Sequence, residues 1–288
     1  MKPLYTQQVE LSETYIQKKI SEFLNEDKAD LDLTTEATLL NQTKQVTGQI
    51  VAEEDLVFSG TAIIKNIFKK TNTQNLISNG QKCRAGDIIA IISGDAQLLL
   101  SRERVLLNLL QHLSGIASLT NCYVKTLNSK SIKILDTRKT TPGLRLFEKQ
   151  AVTIGGGYNH RLDLCDGIMF KDNHLAITTN LNNSLNQLKN THANKNIQVE
   201  IDTFEQLQTL FNKASIQVDA ILLDNMLPEE VISCVEFIRN KMPNCFIEVS
   251  GGITLDNLLH YRDIDIDGIS VGAITHQAVS KNIKFEFK

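Results

Sequence analysis

The chain has 288 residues, enough for two domains or for one α/β barrel with an appendage, and its 42% hydrophobic content excludes a disordered chain. A formal net charge of −3 carries no basic footprint, so nucleic acid is not an expected partner and any anion site must be a local concentration of cations. Five scattered cysteines without a CxxC pair exclude a zinc knuckle, and no apolar run approaches the ~20 residues that cross a bilayer or forms the core of a signal peptide, so a soluble, cytoplasmic protein with no membrane partner is expected.

Residues 11–27 place Tyr15, Ile16, Ile20, Phe23 and Leu24 at helical spacing and predict an amphipathic helix. A β-rich stretch follows: short apolar runs at 48–60 and 77–94, bounded by Gly, Asn and Asp, flank a short helix at 61–71. The longest helical pattern is 101–127. Ser101 is its expected N-cap, and Val105, Leu106, Leu109, Leu110, Leu113 and Ile116 form its apolar face. Gly115 within it marks either a kink or a close packing contact.

From about residue 130 the pattern changes to short β-type runs alternating with longer segments able to hold helices. The runs are 131–137, 167–173, 197–202, 220–225, 245–251 and 268–273, mostly apolar on both faces, as parallel strands covered by helices require. Each ends in polar or Gly residues, and in α/β barrels the site lies at the carboxyl ends of the strands. Six such units predict a barrel, which six can leave incomplete, rather than an open dinucleotide-binding sheet. No GxGxxG opens a helix near the start of the series.

The strand ends carry the chemistry. Arg138 and Lys139 sit beside a Pro-Gly turn, where a guanidinium can grip a carboxylate by two parallel hydrogen bonds and an ammonium acts as a mobile charge; a solvated loop is the plainer alternative. Gly155-Gly156-Gly157 precede His160 and Arg161, further donors to an anion, although a triple glycine alone also suits a flexible turn. Lys171 closes another apolar run, as an anion partner or as part of a helix cap with Asp172 and Asn173. Glu200 and Asp224 end strands where carboxylates are costly to desolvate unless paired or ligand-bound; ribose hydroxyls, Mg²⁺ or a structural salt bridge are the candidates. Ser250, Gly251 and Gly252 on the fifth run, and Ser270, Val271 and Gly272 on the sixth, leave backbone N–H groups bare where barrel phosphate sites often form. Together these describe one pocket for a phosphorylated donor and an anionic acceptor.

The segment ILDTRKTTPGLRLFEKQAVTIGGGYNHRLDLCDGIMFKDNHL strongly resembles the core of the quinolinate phosphoribosyltransferase (nicotinate-nucleotide pyrophosphorylase) family, and RERVLLNLLQHLSGIAS, ILLDN, EVSGGIT and ISVGAITH resemble further blocks in the same order. The resemblance runs from about residue 30 to the end. It implies an α/β chain of the type II phosphoribosyltransferase fold: an N-terminal α/β sandwich over 1–113, a C-terminal incomplete TIM-like barrel over 114–276, and a tail of about 277–288 free to pack with the sandwich. It implies transfer from phosphoribosyl pyrophosphate to quinolinate, with decarboxylation, giving nicotinate mononucleotide, pyrophosphate and CO₂ in NAD biosynthesis. Arg138, His160 and Arg161, with Lys171, would hold quinolinate, joined by Arg104 from the neighbouring subunit of a homodimer, with assembly beyond the dimer open. Lys139, Lys171, Glu200 and Asp224 would be catalytic. Lys139, Glu200, Asp224, Ser250, Gly251, Gly252, Val271, Gly272 and His276 would surround the phosphoribosyl group, and Glu200 and Asp224 would hold Mg²⁺, directly or through water.

Asp163 and Cys165 stand where many members carry Gly and Ser, and Phe170 replaces a smaller aliphatic. No covalent nucleophile is required, so Cys165 is expected to be a packing residue. Two alternatives remain beside the enzyme: a molybdenum-transport-associated paralogue, against which Lys139 and the KDNH segment argue, and a non-catalytic binder of phosphate ligands on the same scaffold. Nicotinate or nicotinamide is a conceivable acceptor, but three arginines fit two carboxylates better than one or none.

Overall fold

The structure, a computed structural model, describes residues 3–40, 42–178, 180–213 and 218–288; the side chains of Asp172 and Lys213 fall outside that set, and with them the reading of Asp172 as a cap. The chain forms two compact units. One comprises Gln8–Asn121, Leu146–Gly156 and Gln277–Lys288; the other comprises the residues up to Gln7 together with Cys122–Arg145 and Gly157–His276. Neither is contiguous; the sequence reading sets its boundaries after residue 113 and after residue 276, with the tail of about 277–288 free to pack with the first domain, and has no counterpart to the Leu146–Gly156 excursion.

The first unit opens with α1 (Glu13–Glu26), which starts where the Ser12 hydroxyl accepts from the Tyr15 N–H and which buries Ile16 and Ile20. There follow α2 (Leu33–Leu39), β1 (Gln45–Ala52), β2 (Leu56–Val57), α3 (Thr61–Ile67), β3 (Asn72–Gln74), β4 (Lys82–Cys83) and β5 (Ile88–Asp95). α4 (Ala96–Leu127) begins five residues before the expected start, and the Asp95 carboxylate accepts from the N–H groups of Gln97 and Leu98. Ser101 is therefore inside the helix and is not its N-cap. The sequence signal was misread because Asp95, an equally good cap, lies at the end of a strand with no loop between. Gly115 is a packing contact and not a kink: a Cβ there would lie 2.3 Å from the Val279 carbonyl oxygen.

The second unit is built from β6 (Lys133–Leu135), β7 (Ile168–Phe170), β8 (Ile197–Ile201), β9 (Ala220–Asp224), β10 (Phe246–Ser250) and β11 (Gly268–Ser270). The helices among them are α5 (Arg145–Ile154), which runs into the first unit, α6 (Asp172–Ile177), α7 (Leu181–Thr191), α8 (Phe204–Lys213), α9 (Pro228–Lys241) and α10 (Ala273–His276). The six strands are parallel in the order β6-β11-β10-β9-β8-β7, so the first two in sequence stand at the two ends of the order, and no ladder joins them among the described residues. A single bridge, Leu135 to Tyr158, extends the β6 edge. β9 and β10 are buried along their length except at the last residue, Asp224 and Ser250, so the polar strand ends emerge together. On α9, Arg239 ties the opposite end through Asp265 at 2.8 Å and Asp267 at 2.9 Å, and Asp267 also accepts from the Ile247 N–H.

β12 (Ile283–Phe287) returns the chain to the first unit, where it pairs with β1 in an antiparallel sheet of order β12-β1-β5-β3. With α1, α3 and α4 this makes an α/β sandwich.

Candidate active site

At the end of β6, Asp136 is wholly buried, and its carboxylate accepts from the His160 N–H at 2.8 Å and the Asn159 Nδ2 at 2.7 Å. A charge-assisted pair of bonds thus fastens the glycine-rich loop to the strand end, which sets His160 and Arg161 beside Arg138. The Lys139 carbonyl accepts from the Thr275 hydroxyl at 2.8 Å, holding the Arg-Lys turn against α10. Across the barrel, Lys171 donates to Glu200 at 2.6 Å from the ends of adjacent strands.

These groups enclose a cavity of about 300 Å³ lined by Arg138, Lys139, His160, Arg161, Lys171, Glu200, Asp224 and Ser250, with Thr137, Met169, Leu222 and Ser270 completing the wall. The electrostatics are strained in one sense. Burial lowers the Arg161 pKa, and the Arg138 cation lowers it further. Burial also raises the Glu200 carboxyl, against the pull of Lys171. The Arg138 Nη1 is buried without a hydrogen-bond partner among the described residues. A buried charged donor left unpaired is costly unless a ligand accepts from it. The cavity therefore calls for an anion.

Glu200, Asp202 and Asp224 bring carboxylate oxygens within 4.8 Å of one another. A hard oxygen donor set of this kind fits Mg²⁺. Asp202 was absent from the sequence-derived set, although it ends the same EID run as Glu200.

At the ends of β10 and β11 the glycines have physical reasons. Gly251 has φ +88°, and a Cβ there would lie 2.2 Å from Asn225 Oδ1. Gly272 stands between the Lys139 side chain at 3.1 Å and the His276 ring at 3.2 Å from its would-be Cβ, so a small anion there would face both. Gly252 is exposed beyond the cavity wall, and the Val271 side chain is buried, leaving only its backbone for a ligand. Arg104 is exposed on α4 in the first unit and does not line the cavity. Cys165 is exposed, on a turn where Asp163 Oδ1 accepts from its N–H at 2.7 Å, so it is not a packing residue.

Beneath the cavity lies a network that sequence reasoning missed. Glu248, on β10, is fully buried and accepts from Ser270 Oγ at 2.5 Å and Gln198 Nε2 at 2.8 Å, and it lies 3.5 Å from His160 Nε2. Desolvation pushes its carboxyl up to about 7. The signal was a lone charge in the apolar run FIEV.

A parallel barrel with cations and carboxylates converging at its strand ends defines an α/β-barrel enzyme for phosphorylated, anionic ligands. The sequence matches the family models for the quinolinate phosphoribosyl transferase N-terminal domain over residues 32–114 and C-terminal domain over residues 116–286, and the chain belongs to that family. It is 40% identical over 276 residues to the probable nicotinate-nucleotide pyrophosphorylase (carboxylating) of Bacillus subtilis, covering 94% of this chain and 93% of the relative. It is 35% identical to the nicotinate-nucleotide pyrophosphorylase (carboxylating) of Mycobacterium leprae, over 88% and 90% of the two chains. Among solved structures, the nicotinate-nucleotide pyrophosphorylase of Francisella tularensis superposes with a TM-score of 0.87 at 30% identity, over 99% of this chain and 100% of the other. NadC from Streptococcus pyogenes gives a TM-score of 0.87 at 35% identity, over 97% and 98%.

Proposed function

We propose that the protein transfers the phosphoribosyl group of phosphoribosyl pyrophosphate to quinolinate, with loss of CO₂, giving nicotinate mononucleotide and pyrophosphate. The observation that carries this reading is the unpartnered, buried Arg138 Nη1 in a cavity that also holds Arg161, Lys139 and Lys171. Both reactants are polyanions, and fixed cations neutralise them without reorganising during the reaction. Arg138, His160 and Arg161 hold the acceptor's carboxylates. Lys139 and Lys171 face the donor, and Glu200 and Asp224 take the ribose hydroxyls as C1′ gains oxocarbenium character. The pyridine nitrogen then forms the bond to C1′ as pyrophosphate leaves. When the 2-carboxylate departs as CO₂ the electron pair stays on C2, stabilised by the adjacent pyridinium nitrogen, and a proton taken from water at C2 completes nicotinate mononucleotide. Ser250, Gly251, Gly252, Val271, Gly272 and His276 surround the 5′-phosphate.

Glu200, Asp202 and Asp224 are the residues that would hold Mg²⁺, which supplies charge stabilisation to the departing pyrophosphate. The same reading makes the enzyme a homodimer in which Arg104 of one subunit completes the acceptor site of the other. It also places the enzyme in the cytoplasm, in keeping with five free cysteines; no helix among the described residues is long and apolar enough to cross a membrane. An assay with quinolinate, phosphoribosyl pyrophosphate and Mg²⁺, following nicotinate mononucleotide and CO₂ together, tests the reading. Product formation from nicotinate but not from quinolinate overturns it.

A further inference from the structure

Residues 3–7 precede both family-matched regions, and they pack into the barrel unit. Tyr5 is 5% exposed, and its ring stacks on the His160 ring at 4.5 Å between centroids and 29° between planes. Its hydroxyl donates to Gln198 Oε1 at 2.6 Å, the same oxygen that His160 Nε2 approaches at 3.1 Å. The Arg161 N–H donates to His160 Nδ1 at 2.7 Å, which leaves the ring proton on Nε2, directed at that shared oxygen.

The rest of the arm is pinned to the same segment. The Gln7 side-chain amide grips the Asn159 backbone from both sides, donating to its carbonyl at 3.0 Å and accepting from its N–H at 2.8 Å. The Thr6 hydroxyl donates to Asp166 at 2.7 Å, and Asn196 Nδ2 donates to the Leu4 carbonyl. Asp166 also accepts from the Leu162 N–H at 2.9 Å. Gly167 makes room for the arm: a Cβ there would fall 2.4 Å from the Tyr5 ring, and the Gly167 carbonyl accepts from Arg161 Nη1 at 3.1 Å. The arm's contacts fall on Asn159, His160, Asp166 and Gly167, ahead of β7, and on Asn196 and Gln198 at the start of β8, the strand pair at one edge of the sheet.

The geometry points to Tyr5 as a positioning residue for the acceptor end of the pocket, through which an N-terminal arm locks His160 and Arg161 from behind. This inference rests on the functional reading above, in which those two residues hold a pyridine dicarboxylate. Tyr5 itself does not line the cavity. Loosening it should impair the acceptor's binding and spare the donor's, because the arm lies beside Phe246 and Asp267 at the amino ends of β10 and β11 and lines no part of the cavity at their carboxyl ends.

The test compares wild type, Tyr5→Leu and Tyr5→Phe in the full-length chain. Tyr5→Leu keeps apolar volume while removing both the stack and the hydroxyl. It is expected to raise KM for quinolinate about tenfold while KM for phosphoribosyl pyrophosphate stays within about twofold. Tyr5→Phe keeps the stack and is expected to recover most of that loss. In histidine-labelled protein, the His160 ring protons should move downfield in Tyr5→Leu as the shielding ring is lost. A folded Tyr5→Leu enzyme with both KM values unchanged, or one that merely melts earlier, overturns the inference while the functional reading stands. If the variant does not fold, Tyr5→Phe decides: without the hydroxyl bond to Gln198 it should leave KM for quinolinate about two- to threefold above wild type with KM for phosphoribosyl pyrophosphate unchanged, and a quinolinate KM equal to wild type overturns the inference. A wild-type chain that makes no nicotinate mononucleotide overturns the functional reading, and this inference with it.

Discussion

Arg138 turns its guanidinium to a cavity and has one buried nitrogen without an acceptor among the described residues, which is why its removal should act on binding more than on folding. Arg138→Ala is expected to raise KM for quinolinate about 10- to 100-fold, the range for losing a charge-assisted hydrogen bond, with little loss of melting temperature. Calorimetric titration and steady-state kinetics check this; a variant that binds quinolinate normally sinks the assignment. Glu248 makes the opposite case, a buried acid whose folded pKa is raised from 4.5 to about 7 by desolvation. The folded state therefore binds more protons than the unfolded chain between those values. Its stabilising contribution is present below about pH 4.5 and is lost as pH rises through 7. Glu248→Gln cannot titrate. Its melting temperature minus that of wild type should rise between pH 5 and pH 8, and a difference that stays flat across that range counts against the raised pKa.

At the scale of elements, the barrel strands were legible because their both-sided apolar runs stop at polar residues, and β8, β9 and β10 begin and end within a residue or two of the predicted runs. The start of α4 was not legible, since Asp95 and Ser101 are chemically comparable caps and only the end of β5 decides between them. At the far end of the barrel, Arg239 secures α9 to the segment leading into β11 through two carboxylates, and to the residue before β10 through the Cys245 carbonyl at 2.6 Å. Arg239→Ala should cost about 2 kcal/mol of stability and leave kcat/KM near its wild-type value, since the network lies away from the strand ends that bear the cavity. Urea unfolding paired with kinetics tests both halves; unchanged stability contradicts the first.

For the whole molecule, the proposed dimer makes a sharp expectation. Arg104→Ala and Arg138→Ala should each be nearly inactive at low quinolinate. Subunits of the two, unfolded and refolded together, should regain activity at about a quarter of the sites, because half of the dimers are mixed and each mixed dimer has one intact site. Recovery no greater than the sum of the separate variants argues for sites built within single subunits.

The sequence by itself determined the family, the barrel and the cations of the pocket, because charged groups at the ends of apolar strands are too costly to leave without a purpose and so announce themselves in one dimension. Only the tertiary structure decided that Asp202 joins Glu200 and Asp224, that Glu248 lies beside His160, and that Tyr5 stacks on the His160 ring. Those groups are separated from their partners by tens to nearly two hundred residues or sit inside ordinary patterns, and their roles depend on distances that a linear spacing does not encode.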